Sequence, residues 1–101
     1  SAEVFFDKVP VIPEALEYLA QKAIPGGTHR NFDSYGHKVA DLTPDQKHLL
    51  CDPQTSGGLL VAVDPADREE VLQVFEQYGL QLQPFGILQE RGNSEKLIKV
   101  L

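Results

Sequence analysis

Cys51-Asp52-Pro53-Gln54-Thr55-Ser56-Gly57-Gly58-Leu59-Leu60-Val61-Ala62-Val63 divides into two parts that ask for different backbones. The first eight residues oppose regular structure. Pro53 lacks an N–H and disfavours helical geometry at Asp52. Thr55, Ser56, Gly57 and Gly58 can aim several backbone N–H groups and two hydroxyls at one point. Leu59 to Val63 is then an unbroken apolar run of strand length, as expected where both faces of a strand are covered. The stretch predicts a polar glycine turn feeding the central strand of a small sheet. Such a turn suits an anion. It also serves as a plain strand entry that needs positive φ at Gly57 or Gly58.

The flanking sequence supplies the rest of that sheet. Val4, Phe5 and Phe6 favour a strand over residues 2 to 6. Pro13 occupies a first helical position, and Leu16, Leu19, Ala20 and Ala23 fall on one helical face until Ile24-Pro25-Gly26-Gly27 stops the run. Thr28 to His37 has no clean period and predicts a long irregular loop with at most one helical turn. Thr43-Pro44-Asp45-Gln46 reads as a capping box opening a short helix to Leu49-Leu50. Asp64-Pro65 repeats the cap-and-proline device. It opens a helix over 65–78 through Val71, Leu72, Phe75 and Tyr78, ended by a left-handed Gly79. Phe85 to Leu88 is a further strand. Arg91-Gly92-Asn93-Ser94 predicts a hairpin turn, and Lys96 to Leu101 an edge strand guarded by lysines. The fold class is α/β in the α+β sense: one small mixed sheet with helices packed on one face, forming a single domain over residues 1–101.

Composition narrows the function. The 101 residues are 42% hydrophobic and carry a net charge of −6, with the nine Lys and Arg residues scattered. No basic stripe fits a nucleic acid, and no apolar run approaches a membrane span. A single cysteine suits a reducing, cytoplasmic compartment. The chain has no methionine, which leads to the expectation that it was processed or excised from something longer.

Two stretches are candidates for substrate or phosphate binding. One is Gly26, Gly27, Thr28 and Asn31, where glycines allow close backbone approach and polar side chains follow. The other is Thr55, Ser56, Gly57 and Gly58. Helix termination with a side chain–backbone network explains the first set equally well. The second set has neither the lysine nor the following helix of a Walker-type phosphate loop. Cys51 lies near His48 and Asp52, but a thiolate needs a positive setting and zinc needs about four ligands. Cys51 therefore reads as a buried, inert residue, and His29 and His37 as loop hydrogen-bonders. Spacing alone yields no catalytic set and no metal set.

Ile24-Pro25-Gly26-Gly27-Thr28-His29-Arg30-Asn31, together with Leu49-Leu50-Cys51-Asp52-Pro53-Gln54-Thr55-Ser56-Gly57-Gly58-Leu59-Leu60, closely resembles the C-terminal region of the selenophosphate synthetases, or selenide, water dikinases. These resemble aminoimidazole ribonucleotide synthetase, and the resemblance implies part of the second of two α/β domains in an enzyme that usually dimerises. The implied reaction converts ATP, selenide and water to selenophosphate, AMP and phosphate with magnesium, supplying selenium for selenocysteine and modified tRNA. The family's catalytic Cys and Lys and its metal-binding aspartates belong to motifs missing from this sequence, so Cys51 does not inherit the catalytic role. The residues are then expected to be inactive alone. The alternative is a stand-alone, non-catalytic anion-binding or interaction module of the same fold.

Overall fold

A computed structural model describes all residues, Ser1–Leu101. Its sheet is centred on the N-terminal strand β1 (Ala2–Val4), not on Leu59–Val63. β2 (Gly86–Leu88) lies antiparallel on one side of β1, with Glu3 opposite Ile87. β3 (Ile98–Val100) lies parallel on the other, with Glu3 opposite Lys99. Backbone bonds from Gln89 N–H to the Ser1 carbonyl (2.9 Å) and from Ala2 N–H to the Leu97 carbonyl (2.8 Å) extend both ladders. β2 and β3 therefore flank β1 without pairing with each other, so Arg91–Ser94 is not the expected hairpin turn. Parallel pairing requires the chain to cross from one side of β1 to the other.

Three further expectations about the sheet are corrected or refined. β1 is shorter than residues 2–6, because the chain enters a 3-10 turn at Phe6–Lys8. β3 is not a free edge, because Val39 forms a parallel bridge to Ile98 and Ala40 N–H donates to the Ile98 carbonyl at 2.8 Å. Lys99 does reach across the sheet surface, 3.9 Å from Glu3. Gly86 permits the close approach of β2, since a Cβ there would meet the Glu3 carbonyl oxygen at 2.6 Å.

The helices begin where the sequence marks them in three cases out of four. α1 (Pro13–Ala20) has Pro13 at its first position. α3 (Pro44–Leu50) carries the complete capping box: Gln46 N–H donates to Thr43 Oγ1 at 3.2 Å, and Thr43 N–H to Gln46 Oε1 at 2.9 Å. Before α4 (Arg68–Gln77), the Asp64 carboxylate accepts from Ala66 N–H at 2.9 Å over a 3-10 turn. Gly79 takes φ +76° as its terminator.

The fourth helix overturns the loop expected over Thr28–His37. α2 (Gly26–Tyr35) runs through it, followed by a 3-10 turn at Gly36–Lys38. Gly26 and Gly27 open this helix rather than ending the previous one. α1 ends instead through Gln21 and a left-handed Lys22, φ 58°. The inward positions of α2 are Gly27, Thr28, Asn31 and Phe32, spaced as a helix requires but largely polar, while Tyr35 is 39% exposed.

The largest correction concerns Leu59–Val63. This segment is not a strand and is not buried: Leu59 is 95% exposed and Leu60 82%. No residue from Thr55 to Val63 makes a backbone hydrogen bond within the chain. Positive φ occurs at neither Gly57 nor Gly58, so the strand-entry geometry expected there is absent too. The sequence character is strand-like, but no element of these 101 residues pairs with it. No helix is long and apolar enough to cross a membrane.

Candidate functional site

The first glycine-bearing stretch meets the Cys51–Pro53 segment, which precedes the second, at one corner of the fold. α2 and α3 pack against each other, and Cys51 closes α3 with its N–H donating to the Lys47 carbonyl at 3.1 Å. Asn31, one turn into α2, donates from Nδ2 to the Cys51 carbonyl oxygen at 3.0 Å. That bond satisfies a carbonyl left free at the end of α3. Pro53 then lies over the first turn of α2. A Cβ on Gly27 would stand 2.7 Å from Pro53 Cβ and 2.8 Å from its Cγ, so only glycine allows this approach. The Cys51–Pro53 segment is thus fastened to α2 at two points.

Burial concentrates at the same corner. Only four residues are buried in the chain, and two of them, Thr28 (0% exposed) and Cys51 (3%), sit here. Thr28 Oγ1 has no hydrogen-bond partner, which marks it as the one side-chain polar atom enclosed without compensation. The Tyr35 hydroxyl is raised above its ordinary pKa of 10.0, first by burial and then by the neighbouring Cys51 thiol. Around the rim, Lys47 Nζ stands 4.2 Å over the Phe32 ring, and His29 meets His48 edge-to-face at 6.0 Å. The reading of Cys51 as buried agrees with its position. His29 lies on a helix rather than in a loop.

The donors differ in what they have left to offer. Asn31 already spends its amide on Cys51, and the Thr28 hydroxyl is enclosed. Pro25, the residue before α2, gives no side-chain cap, while Thr28 N–H bonds the Pro25 carbonyl at 3.0 Å. The N–H groups of Gly26 and Gly27 therefore keep their hydrogen-bonding capacity at the positive end of a ten-residue helix. Thr55, Ser56, Gly57 and Gly58 are exposed, and their N–H groups and hydroxyls make no bond within the chain. A sequence signal for this arrangement did exist: the helical spacing of Thr28, Asn31 and Phe32. Reading polar residues as outward-facing conceals it.

No three His, Cys, Asp or Glu side chains converge in a way that could hold a metal ion. A separate open cleft, lined by Phe5, Lys8, Arg68 and Gln83 among others, includes none of the candidate residues. No family model matches the chain. Comparison with curated proteins gives extensive similarity. The chain is 57% identical over 91 residues to a selenide, water dikinase of Pseudomonas putida, covering 90% of this chain and 26% of the relative. It is 47% identical over 100 residues to one from Haemophilus influenzae, covering 99% and 29% respectively. One from Bordetella bronchiseptica is 54% identical over 88 residues, covering 87% and 26%. The chain spans about a quarter of the length of the curated relatives it matches.

Proposed function

Because the chain is related, over nearly its whole length, to about a quarter of the selenide, water dikinase sequence, we propose that it serves as one structural part of such an enzyme. The reaction is the ATP-dependent conversion of selenide and water to selenophosphate, AMP and phosphate, within a cytoplasmic homodimer. The observation that carries this reading is 57% identity sustained across 90% of the chain. Phosphoryl transfer depends on positioning and on neutralising charge. These residues contribute to the first and lack the means for the second.

Magnesium does not fit the residues present, because no acidic or histidine cluster exists to hold it. A nucleotide or product phosphate fits better. The free N–H groups of Gly26 and Gly27, and the donors of Thr55, Ser56, Gly57 and Gly58, are of the kind that receives an anion. In this reading Thr28 and Asn31 act indirectly: Thr28 packs the corner and Asn31 fixes the start of the 52–58 loop relative to α2.

The experiment is an assay of AMP release from ATP with and without selenide. A protein of the relatives' length carrying these residues should release AMP only when selenide is present. The 101 residues alone should release none. Turnover by the 101 residues alone, or selenide-independent turnover by the longer protein, overturns the proposal. Strong phosphate binding by the 101 residues, with no activity in the longer protein, would point instead to an independent anion-binding module.

A further inference from the structure

The ribbon Leu59–Val63 has three properties that do not belong together on a finished surface. Its backbone N–H and C=O groups are unpaired throughout. Its side chains are apolar on both faces: Leu59, Val61 and Val63 alternate with Leu60 and Ala62, and the four large ones are exposed by 37% to 95%. It carries no protection, since Pro53 through Val63 contains no charged residue and Leu59–Val63 contains no proline or glycine. Strand edges that remain exposed in natural proteins are guarded by charge, proline or a bulge. An unguarded edge with two apolar faces is the pattern of a strand that is covered on both sides.

We infer that Leu59–Val63 is one partner of a strand pair, and that the other partner is an extended apolar strand from the length of a selenide, water dikinase that these residues do not span. The inference rests on the proposed function for the identity of that longer protein. A covering helix would hide the leucines but leave the backbone groups unpaired, so the occupant is a strand. A second copy of the ribbon would satisfy the backbone equally well. The relatives' length argues against it, because the chain matches only 26% of its Pseudomonas putida relative and the remainder is available without a second molecule. The ribbon and β2 are joined through α4 but do not pair, although β2 has a strand on one side only.

Amide hydrogen exchange on a protein of the relatives' length carrying this sequence tests the pairing directly, and needs no substitution that could unfold it. Alternate or consecutive amides within Leu59–Val63 should exchange at least about 100-fold more slowly than in an unstructured peptide, unchanged on tenfold dilution. Exchange within about tenfold of the unstructured rate overturns the inference. So does protection that disappears on dilution, since the partner would then be a second copy. An unprotected ribbon in a protein active in selenide-dependent AMP release would sink the strand pairing alone. A protected ribbon in an inactive protein would sink the functional reading alone.

Discussion

The corner around Cys51 and the ribbon that follows it are joined by only a few residues, yet they are opposites. At the corner, polar residues are inside: Thr28 is fully enclosed and Asn31 ties two helices together. Along the ribbon, apolar residues are outside and the backbone is unpaired. The difference shows what each part needs from the rest of a protein. The corner holds because α2, α3 and the Cys51–Pro53 segment bond and pack against one another locally. The ribbon is incomplete because hydrophobicity alone does not make a strand; a neighbour must supply an edge.

The substitution with the largest expected effect tests whether the three-stranded sheet belongs to the locally packed part. Gly86→Ala places a methyl group where the Glu3 carbonyl now stands, 2.6 Å from the new Cβ. Backbone in the central strand must move, so a loss of about 1–3 kcal/mol is expected in denaturant unfolding. An unchanged midpoint would show that β2 is held as loosely as the ribbon. The sheet would then fall on the other side of the comparison.

A pair of substitutions contrasts corner and ribbon more directly. Asn31→Ala leaves the Cys51 carbonyl without its donor and should destabilise by about 1 kcal/mol. Exchange at the amides of residues 52–54 should rise with it. Leu60→Ser removes an apolar side chain that touches little, and should stay within about 0.5 kcal/mol in the 101-residue chain. If Leu60→Ser is the more damaging of the two there, the ribbon is already packed and the contrast fails. In a longer protein that covers the ribbon, the order should reverse, with about 2 kcal/mol lost at Leu60.

The same contrast explains how much of the fold could be read from the sequence. Local chemistry was legible: the Thr43–Gln46 capping box, Pro13 at the head of α1, Asp64 before α4 and Gly79 after it all act within a few residues. Pairing was not. β1 is central because Ile87 and Lys99, more than eighty residues away, lie opposite Glu3, and no nearby residue announces that. α2 was missed because its inward face is Thr28, Asn31 and Phe32, two of them polar enough to suggest a loop. The candidate site was legible only as two separate stretches of sequence. The Gly27–Pro53 contact, which fastens α2 to the segment before Thr55–Gly58, depends on a helix the pattern concealed.

The smallest expected effect lies in the pH dependence of the corner. Tyr35 loses its proton at a higher pH in the folded chain than its ordinary 10.0, because burial disfavours the phenolate and the nearby Cys51 thiol adds to that. The folded state therefore holds this proton more tightly than the unfolded state. Below pH 10 both states are protonated and the stabilisation is fully present. As pH rises from 10 through the higher folded value, the unfolded chain releases the proton first and stability falls. Tyr35→Phe removes that release while keeping the ring, so its stability should fall less than that of the parent above pH 10 and run parallel to it below. The side chain is partly exposed, so solvent screening keeps the difference small. Parallel curves through the alkaline range would mean that the hydroxyl is as open to water as the ribbon. The polar corner would then be less closed than the bond from Asn31 to Cys51 implies.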